Sequence, residues 1–201
     1  EHHRKYPDWV IYGSETTSTV KSRGIYHFPA KTQRLMDTDE QCSSLDNSTV
    51  SWGSKNAEAA LIADRDHKFC LGQFIWTGID YIGEPTPYST KNSYFGIVDT
   101  AGFPKDIYYM YQSHWFTFKE KPMIHILPYW DFNLGQQIDV IIYSNAPNVE
   151  LYLNHKSLGI QTIDHKTGQV LHAQWQIPYE EGVLEAVGYD EDGNVIAKER
   201  V

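Results

Sequence analysis

The stretch that decides the fold class is residues 72–81, which read Gly72-Gln73-Phe74-Ile75-Trp76-Thr77-Gly78-Ile79-Asp80-Tyr81. A short apolar run rich in β-branched and aromatic residues is typical of a strand buried on both faces. Residues 9–13 form a similar run, and residues 57–67 between the two runs have the pattern of a helix. A further helical stretch follows at residues 106–116. Strand, helix, strand, helix is the order of a parallel α/β layer, which we predict for residues 1–121.

From residue 122 onward the hydrophobic period changes to two. Apolar residues alternate with mostly polar ones in two clear runs, Val149, Leu151 and Leu153, then Leu171, Ala173, Trp175 and Ile177. Turn signals at residues 166–168 and 192–193 separate short segments of this kind. The pattern predicts an antiparallel β-sandwich of immunoglobulin type over residues 122–201. A charged segment closed by Pro122 divides this part from the α/β part.

The composition excludes several kinds of partner. The chain of 201 residues has 17 Lys and Arg against 26 Asp and Glu, a formal charge of −9. Without a basic surplus, neither nucleic acid nor an anionic membrane surface is an expected partner. No apolar run approaches the roughly 18 residues of a membrane span. The nine histidines lack the spacing of a metal site, so we expect neither a metal nor a cofactor.

Residues 31–56 interrupt the α/β pattern. They are mostly polar and show no periodicity, which predicts a loop that is either functional or poorly ordered. The triplet Asn47-Ser48-Thr49 in this loop matches the acceptor pattern for N-glycosylation. Chance matches to so short a pattern are common, so we expect Asn47 to be unmodified.

Two places could carry chemistry. Glu15 follows the first strand, and the carboxyl end of a parallel strand is where barrel and doubly wound enzymes place catalytic groups. The structural alternative is a carboxylate that caps a helix or pairs with Lys21 or Arg23. Trp76 and Asp80 lie at the end of the second strand, and an aromatic face beside a carboxylate suits sugar binding. The structural alternative for Trp76 is a place in the core.

The residues around both places resemble one family. Gly13-Ser14-Glu15-Thr16, with Ser22-Arg23-Gly24 downstream, resembles the nucleophile segment of family-two glycoside hydrolases, in particular bacterial β-galactosidases. Residues 72–87 resemble that family's eighth-strand signature, and residues 93–105 continue the likeness. Residues 143–159 are similar to the immunoglobulin-like domain that follows the barrel in many of these enzymes.

The resemblance implies a (β/α)₈ barrel, of which residues 1–121 would be the C-terminal portion with strands seven and eight. It implies retaining hydrolysis of a β-galactoside or oligosaccharide by two carboxylates about 5–5.5 Å apart. By this resemblance Glu15 is the nucleophile and Trp76 lines the subsite of the terminal sugar. Asp80 would contact the ligand or support the site, and Arg23 would keep the nucleophile ionised.

The second carboxylate of the mechanism is missing. The family's acid/base glutamate follows an asparagine, and no Asn-Glu pair occurs in this sequence. Glu84, next to Pro85 in the loop after the second strand, suits the rim of a site better than this role. A complete barrel takes about 250 residues, and only 121 precede the sandwich. We therefore expect a chain that is inactive alone and has the remainder of a parent enzyme as its partner, with an oligomer also compatible.

Other functions remain open from the sequence. A sibling β-glucuronidase or β-mannosidase would share the nucleophile and the tryptophan, although the motif loops show no extra Lys or Arg to bind a sugar carboxylate. The chain could instead be a non-catalytic accessory module. Glycan would then bind an aromatic cluster of the sandwich half, Tyr129, Trp130 and Phe132, which packing between domains explains more simply.

Overall fold

The computed structural model describes residues 1–36 and 41–201. Its helices are α1 (His2–Lys5), α2 (Ala57–Asp66) and α3 (Asp106–Trp115). Its strands are β1 (Ile11–Thr16), β2 (Arg34–Leu35), β3 (Ser48–Thr49), β4 (Cys70–Ile75), β5 (Tyr81–Ile82), β6 (Asn92–Ser93), β7 (Ile124–Leu127), β8 (Gln137–Ser144), β9 (Asn148–Leu153), β10 (Lys156–Thr162), β11 (Ala173–Pro178), β12 (Leu184–Tyr189) and β13 (Val195–Arg200).

The first part contains the predicted strand–helix–strand–helix order. Strands β1 and β4 lie side by side and parallel, with Ile11 opposite Cys70 and Thr16 opposite Ile75. Helix α2 lies between them in the chain. Its N-cap is Asn56, whose side-chain oxygen accepts a hydrogen bond of 2.7 Å from the backbone N–H of Ala59. Strand β4 ends at Ile75, earlier than the apolar run of residues 72–81 suggested, so Trp76 and Asp80 lie in the loop that follows it.

The parallel pair leaves apolar side chains uncovered. Tyr12, Leu71 and Phe74 are 59%, 76% and 69% exposed. Monomeric proteins rarely leave such neighbouring apolar side chains open to water. This face of the parallel pair is therefore suited to packing against further protein.

The second part consists of two antiparallel sheets. One has the strand order β11-β8-β7 and the other the order β10-β9-β12-β13. Val140 and Ala173 of the first sheet share a buried core with Leu151 and Ala186 of the second. The two sheets therefore pack face to face, as the period-two pattern predicted.

Strand β8 is buried on both faces. Ile138, Val140 and Ile142 face the core of the sandwich, whereas Ile141 and Tyr143 belong to a second cluster. That cluster contains residues of α2 and α3. The α/β part is thus packed against the three-stranded sheet. The backbone N–H of Ala30 also donates a hydrogen bond across the two parts to the side-chain Oδ2 of Asp139 (2.7 Å).

Much of the polar segment 31–56 is built into the structure, although residues 37–40 lie outside the described residues. Strands β2 and β3 pair within it. Asn47 is buried, and its side-chain amide donates to the backbone oxygens of His27 (2.9 Å) and Thr32 (3.1 Å). Asn47 is therefore a structural residue, and its match to the glycosylation pattern reflects a role in packing.

Candidate active site

The carboxyl ends of β1 and β4 open onto one cavity of about 450 Å³. Because the strands are parallel, Glu15 near the end of β1 and Trp76 just after β4 come to the same edge of the sheet. Both line the cavity. Its walls are otherwise mostly aromatic, and the other lining residues are Trp52, Tyr81, Glu84, Pro85, Thr86, Tyr88 and Phe95.

The carboxylate of Glu15 is exposed. Among residues 1–36 and 41–201, no group donates a hydrogen bond or forms an ion pair to it. The side chain of Lys21 is buried and donates to the backbone oxygen of Thr19 (3.2 Å). The structural alternative, in which Glu15 pairs with Lys21 or Arg23, is therefore not what the geometry shows.

The segment after β1 has a fixed conformation. Thr17 has a φ of 57°, which is unusual for a β-branched residue. The side-chain oxygen of Gln73 on β4 accepts hydrogen bonds from the hydroxyls of Thr16 (2.8 Å) and Thr17 (3.1 Å). These contacts hold the chain immediately after Glu15, so the carboxylate projects from a defined position.

Trp76 is half-buried and has two kinds of contact. Its backbone N–H donates to the carbonyl of Thr16 (2.7 Å), which continues the pairing of the two strands. Its ring packs against a small buried cluster that includes Val20 and Phe95, and it meets Tyr81 edge-on at 5.9 Å between centroids. The peptide bond between Trp76 and Thr77 is cis. Trp76 therefore belongs in part to the core and still presents a surface to the cavity.

Asp80 does not face the cavity. It is 5% exposed, and its Oδ1 lies 2.7 Å from Nζ of Lys105 and accepts a hydrogen bond from the backbone of Gly96 (2.8 Å). Asp80 is not among the residues that line the cavity, and its burial is compatible with the predicted role in supporting the site. Burial lowers the pKa of Lys105 to about 8, although the negative charge of Asp80 acts to raise it.

Lys105 joins three loop segments around the cavity. Besides Asp80, which follows β4, its ammonium group donates to the backbone oxygen of Lys21 (2.6 Å) after β1. It also donates to the backbone oxygen of Tyr94 at 3.4 Å, next to the cavity residue Phe95. The sequence did not indicate this residue, because nothing local marks a lysine as buried.

Arg23 forms an ion pair with a residue of a neighbouring loop. Its Nε lies 2.6 Å from Oδ2 of Asp99, and its guanidinium stacks over the ring of Phe103 at 4.9 Å. The group is thus engaged by the loop before α3, and no hydrogen bond or ion pair joins it to Glu15 among the described residues, so its role in keeping the nucleophile ionised stays a prediction.

Sequence reasoning missed the two most exposed aromatic residues of the cavity. Trp52 is 64% exposed and Tyr88 is 89% exposed. Trp52 comes from the polar segment without periodicity, where only the presence of an isolated tryptophan could have drawn attention to it. Glu84 does lie at the cavity, as expected for a rim residue, and the hydroxyl of Tyr81 donates to its Oε2 at 3.3 Å.

The aromatic cluster of the sandwich half takes part in packing between the two parts. Trp130 is buried, and its indole N–H donates to the backbone oxygen of Glu180 (2.9 Å). The ring of Phe132 meets that of Phe28 at 5.6 Å, and Tyr129 meets Tyr26 at 5.4 Å. These contacts favour the packing interpretation over a glycan-binding surface.

Within the described ranges, no group of three or more His, Cys, Asp and Glu side chains is placed to hold a metal ion. In the same part of the chain, no helix has both the length and the apolar character needed to cross a membrane.

Comparison with known proteins identifies relatives of this chain. Residues 135–197 match the family described as "Domain of unknown function (DUF4982)". The β-galactosidase BoGH2A of Bacteroides ovatus is 39% identical over 98% of this chain and 24% of its own length. A protein of Formosa agariphila named a putative β-glucuronidase is 43% identical over 73% of this chain and 14% of its length.

A crystal structure of a β-glycosidase from Bacteroides vulgatus has the same fold, with a TM-score of 0.82 and 28% identity. The match covers 98% of this chain and 28% of that structure. The fold, the cavity and these relatives define the chain as part of the glycoside hydrolases. It belongs to family two of that class, and it spans about a quarter or less of the length of the relatives named here.

Proposed function

We propose that this chain supplies the catalytic nucleophile and part of the sugar pocket of a retaining β-galactosidase. The observation that carries the proposal is the position of Glu15, an unpaired carboxylate at the carboxyl end of a parallel strand beside Trp76. An unpaired, exposed carboxylate is free to reach a substrate carbon, and the aromatic wall offers an apolar surface to the face of a pyranose.

In the proposed reaction, Glu15 attacks the anomeric carbon of the terminal sugar. The bond from that carbon to the leaving oxygen breaks as a second carboxylic acid protonates the oxygen, which leaves as an alcohol. Water, deprotonated by the same second group, then displaces Glu15 from the glycosyl ester and restores both carboxyl groups. The second group would come from outside these 201 residues, since no Asn-Glu pair occurs in them.

The charges around the cavity favour a neutral sugar. Apart from tyrosines, two ionisable residues line the cavity among the described residues, Glu15 and Glu84. Both are carboxylates. Lys105 is paired with Asp80, and Arg23 is paired with Asp99. A uronic acid would bring a third negative charge, and no Lys, Arg or His among the described residues lines the cavity to balance it, so galactose fits this surface better than glucuronic acid.

The architecture that accompanies this proposal assigns the first part to a barrel. Residues 1–121 would be the C-terminal portion of a (β/α)₈ barrel, with β1 and β4 as its seventh and eighth strands. The uncovered apolar face of this pair supports the assignment, because neighbouring strands and helices of a barrel would bury it. Residues 122–201 would be an immunoglobulin-like domain, consistent with seven antiparallel strands in two sheets.

The test uses the complete natural polypeptide that carries this chain. Hydrolysis of a nitrophenyl β-galactoside and of the matching β-glucuronide is measured for the unmodified enzyme and for Glu15→Gln. We expect faster turnover of the galactoside and a loss of roughly a thousandfold or more in Glu15→Gln, because its amide cannot act as the nucleophile. Glu84→Gln is the matched control, since it removes the other carboxylate of the same cavity, and it should keep at least a tenth of the activity.

Labelling identifies the nucleophile directly. A fluorosugar inactivator traps the glycosyl ester, and mass spectrometry of the digested enzyme locates it. Label on Glu15 supports the assignment, and label on another residue overturns it. Turnover by the 201-residue chain alone would contradict the proposal that the acid/base group lies outside it.

A further inference from the structure

We propose that Trp52 and Tyr88 form an outer subsite that binds the sugar of the leaving group. The natural substrate would then be an oligosaccharide, with a second neutral sugar after the terminal one. This proposal rests on the function proposed above and extends it to residues that neither the motifs nor the relatives assign.

The exposure of the aromatic residues divides the cavity into an inner and an outer region. Trp76 is half-buried and packs into the small core cluster below Glu15. Trp52 and Tyr88 line the same cavity but are 64% and 89% exposed. The proposed nucleophile Glu15 would have the terminal sugar beside it, so we assign the next sugar to the more exposed rings of Trp52 and Tyr88.

Trp52 is held in place at the cavity by its neighbours in the chain. The backbone N–H of Ser54 donates to the carbonyl of Ser18 (3.2 Å), three residues after Glu15. At Gly53 an added Cβ would lie 2.5 Å from that same carbonyl oxygen, so the two segments are in direct contact. The indole also packs on the buried ring of Phe95, with 5.5 Å between centroids. A large apolar side chain is therefore fixed against the cavity and left mostly open to water.

Tyr88 lies in a loop whose ends are joined by hydrogen bonds. The backbone N–H of Thr90 donates to the carbonyl of Pro87 (3.0 Å), and that of Tyr94 donates to the carbonyl of Thr86 (3.1 Å). The hydroxyl of Thr90 closes the loop further by donating to the same carbonyl of Pro87 at 2.7 Å. The loop presents Tyr88 at the cavity without burying its ring.

The chemistry of this outer region suits a neutral sugar. Exposed aromatic faces bind the apolar faces of pyranose rings, and a tyrosine hydroxyl can exchange hydrogen bonds with sugar hydroxyls. Glu84, oriented by Tyr81, adds a carboxylate acceptor at the rim. The same carboxylate disfavours an anionic leaving group, because the described part of the rim carries no cation to balance it.

The experiment compares two substrates with the same terminal sugar. β-Galactosyl fluoride has no sugar after galactose, whereas lactose has one. The complete polypeptide that carries this chain is assayed as unmodified enzyme and as Trp52→Ala, Tyr88→Ala and Trp52→Phe. We expect Trp52→Ala and Tyr88→Ala to lower kcat/KM for lactose about tenfold each, mainly through KM, since one stacking contact is lost. The fluoride should change less than twofold, and Trp52→Phe should retain most of the activity on lactose.

Trp9→Ala is the matched control. Trp9 is 54% exposed, close to the exposure of Trp52, but it precedes β1 and so lies toward the opposite edge of the sheet from Glu15. Equal losses on both substrates, or no loss on lactose in Trp52→Ala and Tyr88→Ala, would overturn the outer subsite alone. An unmodified enzyme that hydrolyses neither substrate would overturn both the subsite and the proposed function.

Discussion

The ammonium nitrogen of Lys105 lies 2.7 Å from Oδ1 of Asp80, and both side chains are almost completely buried beside the candidate active site. Lys105 also holds the backbone of two neighbouring loops, so the pair determines how the chain is arranged around Glu15. A buried ion pair is costly to break from one side, because the remaining charge has neither water nor a partner.

We expect Lys105→Met to lower the free energy of unfolding by about 3–5 kcal/mol, because it leaves Asp80 buried and unpaired. The double variant Lys105→Met/Asp80→Leu should recover part of this loss, since no charge then remains buried. Urea denaturation of the 201-residue chain measures each value.

The control for that prediction is a pair at the surface. Arg200 lies 3.0 Å from Glu185, and its side chain is 63% exposed. Arg200→Met should cost less than about 1 kcal/mol, because water screens an exposed pair. Similar losses in Arg200→Met and Lys105→Met would show that burial does not make the pair costlier to break.

Trp76 should affect the terminal sugar and not the leaving group. In the complete enzyme, we expect Trp76→Ala to reduce kcat/KM for β-galactosyl fluoride and for lactose by the same factor, of at least about tenfold. Trp76→Phe should lose less, because it keeps an aromatic face. Steady-state kinetics with both substrates gives the comparison, and a loss confined to lactose would place Trp76 in the outer subsite instead.

Arg23 should matter little to the chemistry. Its guanidinium pairs with Asp99 and is half-exposed, so Arg23→Ala should change the free energy of unfolding by less than about 1 kcal/mol. In the complete enzyme it should reduce kcat less than tenfold, and Asp99→Asn should have a similar effect. A thousandfold loss in Arg23→Ala would contradict this prediction and support the role beside the nucleophile that the resemblance implies.

The sequence predicted what depends on local patterns. The order of β1, α2, β4 and α3 and the alternation in β9 follow from periodicity, and the structure confirms them. The continuous apolar run of β8 was harder to interpret, because Ile141 and Tyr143 face a second cluster that only the tertiary structure reveals. A run buried on both faces has no alternation to show which part of the chain covers it.

Residues of the candidate site that lie in a sequence motif could be predicted. Those whose position depends only on long-range contacts could not. Glu15 and Trp76 come together at the cavity as strand ends of a parallel pair should. The burial of Asp80 could not be foreseen, because its partner Lys105 is 25 residues away along the chain. Trp52 was missed for a similar reason, since its place depends on contact with Ser18 and not on a local pattern.

The contact between His125 and α3 gives a pH dependence. The Nε2 of His125 lies 2.8 Å from Oδ1 of Asp106, and its Nδ1 lies 3.5 Å from Oε1 of Glu199. Burial alone would lower the pKa of His125, but the hydrogen bonds to Asp106 and Glu199 outweigh it and raise the pKa to about 9. In the unfolded chain the pKa of histidine is about 6.5.

A raised pKa in the folded state stabilises the protein only while the group binds its extra proton. The contribution of His125 should therefore be complete below about pH 6.5 and disappear as the pH rises toward 9, with a total of up to about 3 kcal/mol. Urea denaturation of the 201-residue chain and of His125→Gln at pH 6, 7.5 and 9 measures this. The stability difference between the two proteins should be largest at pH 6 and smallest at pH 9.

In the stability difference between the two proteins, the contributions of the titrating groups that they share cancel. Lys105, with its pKa lowered to about 8, acts in the opposite direction above pH 8, but its contribution cancels between them. His155→Asn is the control, since His155 is exposed and has a φ of 67° that asparagine tolerates. Its stability should follow that of the unmodified chain at every pH. A constant difference between His125→Gln and the unmodified chain would mean that folding does not change the pKa of His125, and that its contribution comes from contacts independent of pH, such as packing on Tyr109.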